Sequence, residues 1–192
     1  MNRDAALALM QEWTLGDSLR KHALSVSFCC ESYGSREAER LGLPGEVAEE
    51  LSAKYAATGL LHDFDYERYP ETHPARGAEE LRRLEYPEEI VMAVLGHGDH
   101  TGVPRTSLLA RTVYACDELS GFVIAVAYVR PSRSLDEVDP HAVIKKMKDR
   151  SFARQVPRDQ LLRGADQIGV AFEEHVANVV SGLKTVRETL GL

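Results

Sequence analysis

The sequence predicts an all-α protein, and three observations carry that prediction. Apolar residues recur at spacings of three and four along most of the chain, no segment alternates convincingly as a strand does, and prolines and capping residues stand where helices would begin. The one ambiguous stretch, Val123 to Val129, is rich in β-branched residues, but it continues a helical pattern already under way. No internal repeat or low-complexity segment interrupts the pattern.

The elements follow in order. Ala5 to Trp13 reads as a short helix. Asp17 is a candidate N-cap for a helix to about Tyr33, with Leu15, Leu19, His22 and Val26 near one face. Pro44 suits the first turn of a helix that ends near Asp63. His73 or Pro74 opens the next, which ends near Leu84. Pro87 opens another, with Ile90, Val91, Val94 and Leu95 pointing inward. Gly98, Gly102 and Pro104 mark 96–104 as a loop. Thr106 or Ser107 then caps a long helix to Val129, and Asp139-Pro140 starts a shorter one through Lys148. Pro157 starts a C-terminal pair broken near Gly169; Val176, Val179, Val180, Leu183, Val186 and Leu190 form the apolar stripe of the last helix. The whole reads as a single all-α domain over residues 1–192, with a C-terminal helical extension from about residue 131 packed on it.

Composition narrows the function. A length of 192 residues suffices for one domain with a substantial core. With 23 basic and 30 acidic side chains the formal charge is −7, which disfavours a surface for a nucleic-acid polymer. Three cysteines without framework spacing suggest reduced thiols and a cytoplasmic setting. The start Met-Asn-Arg-Asp lacks a signal-peptide pattern, and the longest apolar stretch, Gly121 to Val129, is about half of what a bilayer span needs.

Chemistry concentrates in an ordered set of side chains: His22, the doublet His62–Asp63, His73, His97 and Asp117. Imidazole and carboxylate groups spread over several helices can hold a divalent metal and activate a water. Each residue alone has a plainer reading. Asp117 fits a solvent-facing acid or a buried ion pair, His22 a hydrogen-bonded core histidine, and His62 a favourable cation at a helix C-terminus. His73 fits a helix start, and His97 sits in the polar run Gly96-His97-Gly98-Asp99-His100, where His100 reads as a loop residue. The combination outweighs the parts, because four of the seven histidines fall between positions 62 and 100 in loops joining helices that should pack together.

These pieces carry a resemblance. Leu19-Arg20-Lys21-His22, Gly59-Leu60-Leu61-His62-Asp63-Phe64-Asp65, His73-Pro74-Ala75-Arg76-Gly77-Ala78, Ala93-Val94-Leu95-Gly96-His97 and Ala115-Cys116-Asp117-Glu118-Leu119-Ser120-Gly121, in that order, resemble the HD-domain superfamily of metal-dependent phosphohydrolases. The pattern covers roughly residues 15 to 130, and residues 131 to 192 resemble the tail of HD hydrolases without a defined activity. The resemblance implies an HD-domain helical bundle in which His22, His62, Asp63 and Asp117 bind a first metal. In two-metal members His73 and His97 join, with Asp63 bridging.

The implied activity is hydrolysis of a phosphomonoester or phosphoanhydride of a small nucleotide or related metabolite, with Asp63 and Asp117 holding the metal and orienting the water. One or two divalent ions are implied, and this donor chemistry suits Fe, Mn, Co, Ni or Zn. A two-metal form similar to the dinucleoside-tetraphosphate hydrolases is one version. Arg76 is a candidate phosphate contact, balanced against a salt bridge to Glu79 or Glu80. Lys145 and Lys146, in a basic run with Lys148, Arg150 and Arg154, are candidate substrate contacts, or else a solvated helix face. The alternatives are a metal- or nucleotide-binding sensor without turnover and a di-iron oxygenase. The expected partner is a small phosphorylated molecule, with no nucleic-acid polymer or membrane; oligomeric state and the role of residues 131–192 stay open.

Overall fold

The computed structural model describes residues 3–192; Met1 and Asn2, part of the reading that the start carries no signal peptide, lie outside the described residues. The elements are α1 (Arg3–Trp13), α2 (Asp17–Arg40), α3 (Gly45–Leu61), α4 (Ala75–Arg83), α5 (Glu88–Leu95), α6 (Leu108–Tyr128), α7 (Pro140–Met147), α8 (Arg158–Ile168), α9 (Phe172–Lys184) and α10 (Arg187–Leu190), with short 3-10 turns at Asp99–Thr101 and Leu135–Glu137. The described residues contain no strand, and Val123 to Tyr128 lie within α6. The fold is all-α, as the periodicity predicts.

The long hairpin of α2 and α3 is the spine. Glycine sets its closeness: a Cβ on Gly59 would stand 2.9 Å from the Val26 carbonyl oxygen, and one on Gly34 would stand 2.9 Å from the Ser52 Cα. Gly34 also corrects an expectation. The second helix does not stop near Tyr33 but runs to Arg40, because Gly34 permits close packing against α3 rather than ending a turn. Asp17 is the first helical residue and Gly16 the N-cap, so Asp17 pairs with Lys21 at 2.9 Å instead of capping.

Helix α6 crosses this hairpin and is buried along much of its length. Its cap is as expected, with the Ser107 side chain accepting from the Ala110 N–H, and Asp139 caps α7 in the same way with Pro140 in the first turn. The last helix differs from expectation. The helix breaks at Thr185 and Val186 and resumes as α10, although Val186 and Leu190 stay buried. No described helix is long and apolar enough to cross a membrane, and all three cysteines are buried and free.

The C-terminal helices share the core. Val176, Val179 and Leu183 of α9 join a cluster that begins at Ala6. At their centre His175 is fully buried. Its Nε2–H donates to the Ala115 carbonyl at 3.0 Å, and the Tyr33 hydroxyl donates to its Nδ1 at 2.6 Å. In the neutral imidazole both ring nitrogens are satisfied. Burial pushes His175 down from 6.5 to about 4, against the opposing pull of the Ala115 carbonyl. Above pH 6.5 its contribution to stability is complete; between 6.5 and 4 only the unfolded chain takes up the proton, so stability is lost as pH falls. Between pH 7.5 and 5 the wild type is expected to lose about 2 kcal/mol more than His175→Gln in urea denaturation. Equal losses would show that this imidazole does not cause the acid sensitivity.

Candidate metal centre

Five elements deliver side chains to one point. His22 comes from the second turn of α2. His62 and Asp63 follow the last turn of α3, His73 precedes α4, His97 follows α5, and Asp117 lies mid-way along α6. The segment after α3 is pinned to the start of α2: Glu67 accepts from the Leu15 and Gly16 N–H groups at 2.6 and 3.0 Å, and the Thr14 hydroxyl donates to the Phe64 carbonyl.

The donor atoms form two groups that share Asp63. In the first, His22 Nε2 lies 3.0 Å from Asp117 Oδ1 and 3.9 Å from Asp63 Oδ2, while His62 Nε2 lies 3.4 Å from each of those oxygens and 3.2 Å from His22 Nε2. In the second, Asp63 Oδ1, His73 Nε2 and His97 Nε2 are each 3.2 Å from the other two. Metal–ligand bonds of about 2.1 Å give polyhedron edges of roughly 3.0–3.5 Å; the second group keeps that spacing throughout, and in the first the His62 and His22–Asp117 contacts keep it while His22 and Asp63 stand wider at 3.9 Å.

The imidazole tautomers make this more than a matter of distance. His62 Nδ1–H donates to the Gly59 carbonyl at 2.7 Å, and His97 Nδ1–H donates to the Val94 carbonyl at 2.6 Å. His73 Nδ1–H donates to Asp65 Oδ1 at 2.6 Å. A carbonyl or carboxylate oxygen only accepts, so each neutral ring carries its proton on Nδ1 and turns a bare Nε2 inward. Three such lone pairs converge with two carboxylates, an arrangement that repels itself unless positive charge sits among the donors. The donor set therefore fits a divalent cation.

The electrostatics agree. Burial opposes charge on Asp63, but His62, His73 and His97 hold its carboxyl well below the usual range. Burial likewise opposes charge on Asp117, which is nevertheless held low by His62 and His22. Burial also acts against His62⁺, and Asp63 and Asp117 outweigh it and raise that ring. For His73, burial is again overcome, by bonds to Asp63 and Asp65, to about 9. The centre attracts positive charge, whether proton or metal.

A cleft of about 410 Å³ opens over these donors, lined also by Tyr66, His100, Glu118 and Gln160. Gln160 comes from α8, so the C-terminal extension reaches the cleft. Arg105 fastens the loop after α5 by donating to the Gly96 carbonyl, Asp99 and Gln167, and Arg163 of α8 pairs with Asp99 at 2.9 Å.

The six expected ligand residues come together, whereas Arg76, Lys145 and Lys146 do not line the cleft. Arg76 pairs with Glu79 and lies over the Tyr69 ring, the salt-bridged alternative. Lys145 is exposed on α7, and Lys146 lies over the Phe152 ring. Sequence reasoning places Asp65 after the doublet but gives it no role. That side chain is fully buried, takes the His73 Nδ1–H on one oxygen and accepts from the Gly77 N–H at 2.6 Å on the other. The available signal was the His-Asp-x-Asp spacing. His100, read as a loop residue, lines the cleft with its ring 6.4 Å from His73.

Comparisons with known proteins bear on this geometry. No curated protein and no solved structure matches the chain. The family model for the HD domain matches residues 19–121, more than half of the chain and a span that contains all six clustered residues. The family is one of metal-dependent hydrolases, and the chain belongs to it: it is an HD-domain protein.

Proposed function

We propose that the chain is a metal-dependent phosphohydrolase acting on a small phosphorylated metabolite, with a nucleotide among the candidates. The observation that carries the reading is the shared carboxylate of Asp63, with Oδ2 toward His22 and His62 and Oδ1 toward His73 and His97. In this reading His22, His62, Asp63 and Asp117 hold one ion, and Asp63, His73 and His97 hold a second. When bound, such ions lower the pKa of a water toward neutrality and offset charge on a phosphoryl oxygen. Imidazole and carboxylate donors suit Fe, Mn, Co, Ni or Zn.

The protein's own share is preorganisation. The Nδ1–H bonds of His62, His73 and His97 already aim each Nε2 inward, so a metal has only to displace a proton and no ring must turn. Asp63 and Asp117 stay ionised at neutral pH, orient the attacking water and complete the negative face of the centre. Gln160 adds an amide to the cleft lining for a substrate oxygen. Because that amide comes from the extension, residues 1–192 act as one unit in this proposal.

Elemental analysis tests the reading. Protein purified without chelator is expected to carry about two ions per chain, and His97→Ala about one. Phosphate release from 4-nitrophenyl phosphate should vanish on chelation and return with added metal. A protein that binds no metal even on reconstitution would leave only a helical scaffold.

A further inference from the structure

A second groove opens beside the cleft and shares a wall with it, because His22 lines both. The groove holds about 520 Å³ between α2 and α6 and reaches Leu190 of α10. Its α6 side continues the stripe that begins at Asp117: Gly121, Ile124 and Tyr128 follow at i+4, i+7 and i+11, on one helix face. At 1.5 Å per residue, Tyr128 lies about 16 Å along the axis from Asp117. A Cβ at Gly121 would meet no atom within 4 Å, so the missing side chain leaves open room just below the metal donors. Leu19 faces this room from α2, and the Tyr128 ring is fixed by its hydroxyl bond to the Leu190 carbonyl at 3.0 Å.

Charge separates the two spaces. Among the described residues no lysine or arginine lines the cleft. Arg105 and Arg163 near its rim are bound to Asp99, and Glu118 adds another carboxyl. In the groove Lys21 stands 2.9 Å from Asp17, whose carboxylate partly offsets its charge. One phosphoryl group can be held at the metal donors, but among the described residues a second or third meets no lysine or arginine in the cleft, and the lysine of the groove already faces Asp17.

Resting on the phosphohydrolase reading, we infer that the substrate is a phosphomonoester of an uncharged alcohol whose ring or apolar body lies along Leu19, Gly121, Ile124 and Tyr128. A nucleoside monophosphate falls in this class and a nucleoside polyphosphate does not. In the reaction the water oxygen bonds to phosphorus, the bond from phosphorus to the ester oxygen breaks, and that oxygen leaves with a proton as the neutral alcohol. Inorganic phosphate is the other product, and nothing is oxidised or reduced.

The test uses the metal-loaded full chain with 1-naphthyl phosphate, glycerol 2-phosphate and ATP, read by phosphate release. For 1-naphthyl phosphate, kcat/KM should exceed both others roughly ten-fold or more, ring burial adding to the better naphtholate leaving group, so the change of the ratio in the variants is what isolates the groove. Gly121→Leu should shrink the ratio of naphthyl to glycerol ester roughly ten-fold, and Tyr128→Ala, at a half-exposed position, should raise KM for the naphthyl ester. Calorimetry should show phenylphosphonate binding tighter than methylphosphonate, with the difference reduced in Gly121→Leu. Hydrolysis of both monoesters with a ratio that neither variant moves, or a preference for ATP, overturns the inference and leaves a phosphohydrolase. If no ester is hydrolysed the phosphohydrolase reading falls, and the phosphonate pair judges the groove: equal binding overturns it, tighter phenylphosphonate upholds it.

Discussion

Asp63→Ala is expected to release both ions and to lower turnover by roughly 10³-fold or more, while His97→Ala releases only one. The asymmetry follows from the carboxylate, whose two oxygens face the two groups of donors separately. Its removal takes a ligand and a negative charge from both. His97 turns its Nε2 only to Asp63 and His73, and although its ring also packs edge-on against His62 at 5.3 Å, its loss removes no donor from the His22, His62 and Asp117 set. Folding is not at issue, since Asp63 lies at the floor of an open cleft and not in the apolar core, so far-ultraviolet circular dichroism should be unchanged. Metal content and phosphate release are measured together on the two variants. Two ions retained by Asp63→Ala, with activity intact, would remove the shared carboxylate from the mechanism.

Much of this centre is legible in the sequence because each donor sits at a position the helical pattern already defines. His62–Asp63 closes an apolar run, His97 follows one, and His22 and Asp117 interrupt inward faces. The pattern also narrows the cap of α6 to Thr106 or Ser107 and starts α7 at Asp139-Pro140, because a cap is a local bond between neighbours in sequence; Ser107 and Asp139 make those bonds. What the sequence hides is whatever depends on distant partners. The helix expected to end near Tyr33 continues because Gly34 lets Ser52 and Tyr55 of α3 pack against it. His175 looks like one more polar residue on α9, yet its partners are Tyr33 and Ala115, 142 and 60 residues away. The lysines of α7 draw attention as a run of charge, but a run carries no direction, and α7 presents them outside the cleft. The Arg76 guanidinium had two candidate roles, and its neighbour Glu79 occupies it.

Asp65 shows how a partner hidden in this way governs the exposed chemistry, and Asp65→Asn is the second large effect. The native carboxylate accepts twice, from the Gly77 N–H and from His73 Nδ1–H, each at 2.6 Å. An asparagine keeps only one accepting oxygen. If that oxygen stays on Gly77, the amide NH₂ faces His73 Nδ1, which must then accept. The ring proton moves to Nε2 and points at Asp63 and His97, so the lone pair that faced the centre is lost. If the oxygen stays on His73, the NH₂ meets the Gly77 N–H, two donors face each other in a buried site, and the segment that carries His73 is displaced. Either way the His73–His97 group weakens, and loss of such a partner costs roughly 10- to 100-fold in metal affinity. The first group does not touch Asp65 and should keep its ion. Calorimetric titration of Asp65→Asn with Mn²⁺ should therefore show one site near wild-type affinity and one weakened, and excess metal should restore part of the activity. Two sites of unchanged affinity would mean that His73 is not held by its tautomer, and the lone-pair argument for the second ion would fail with it.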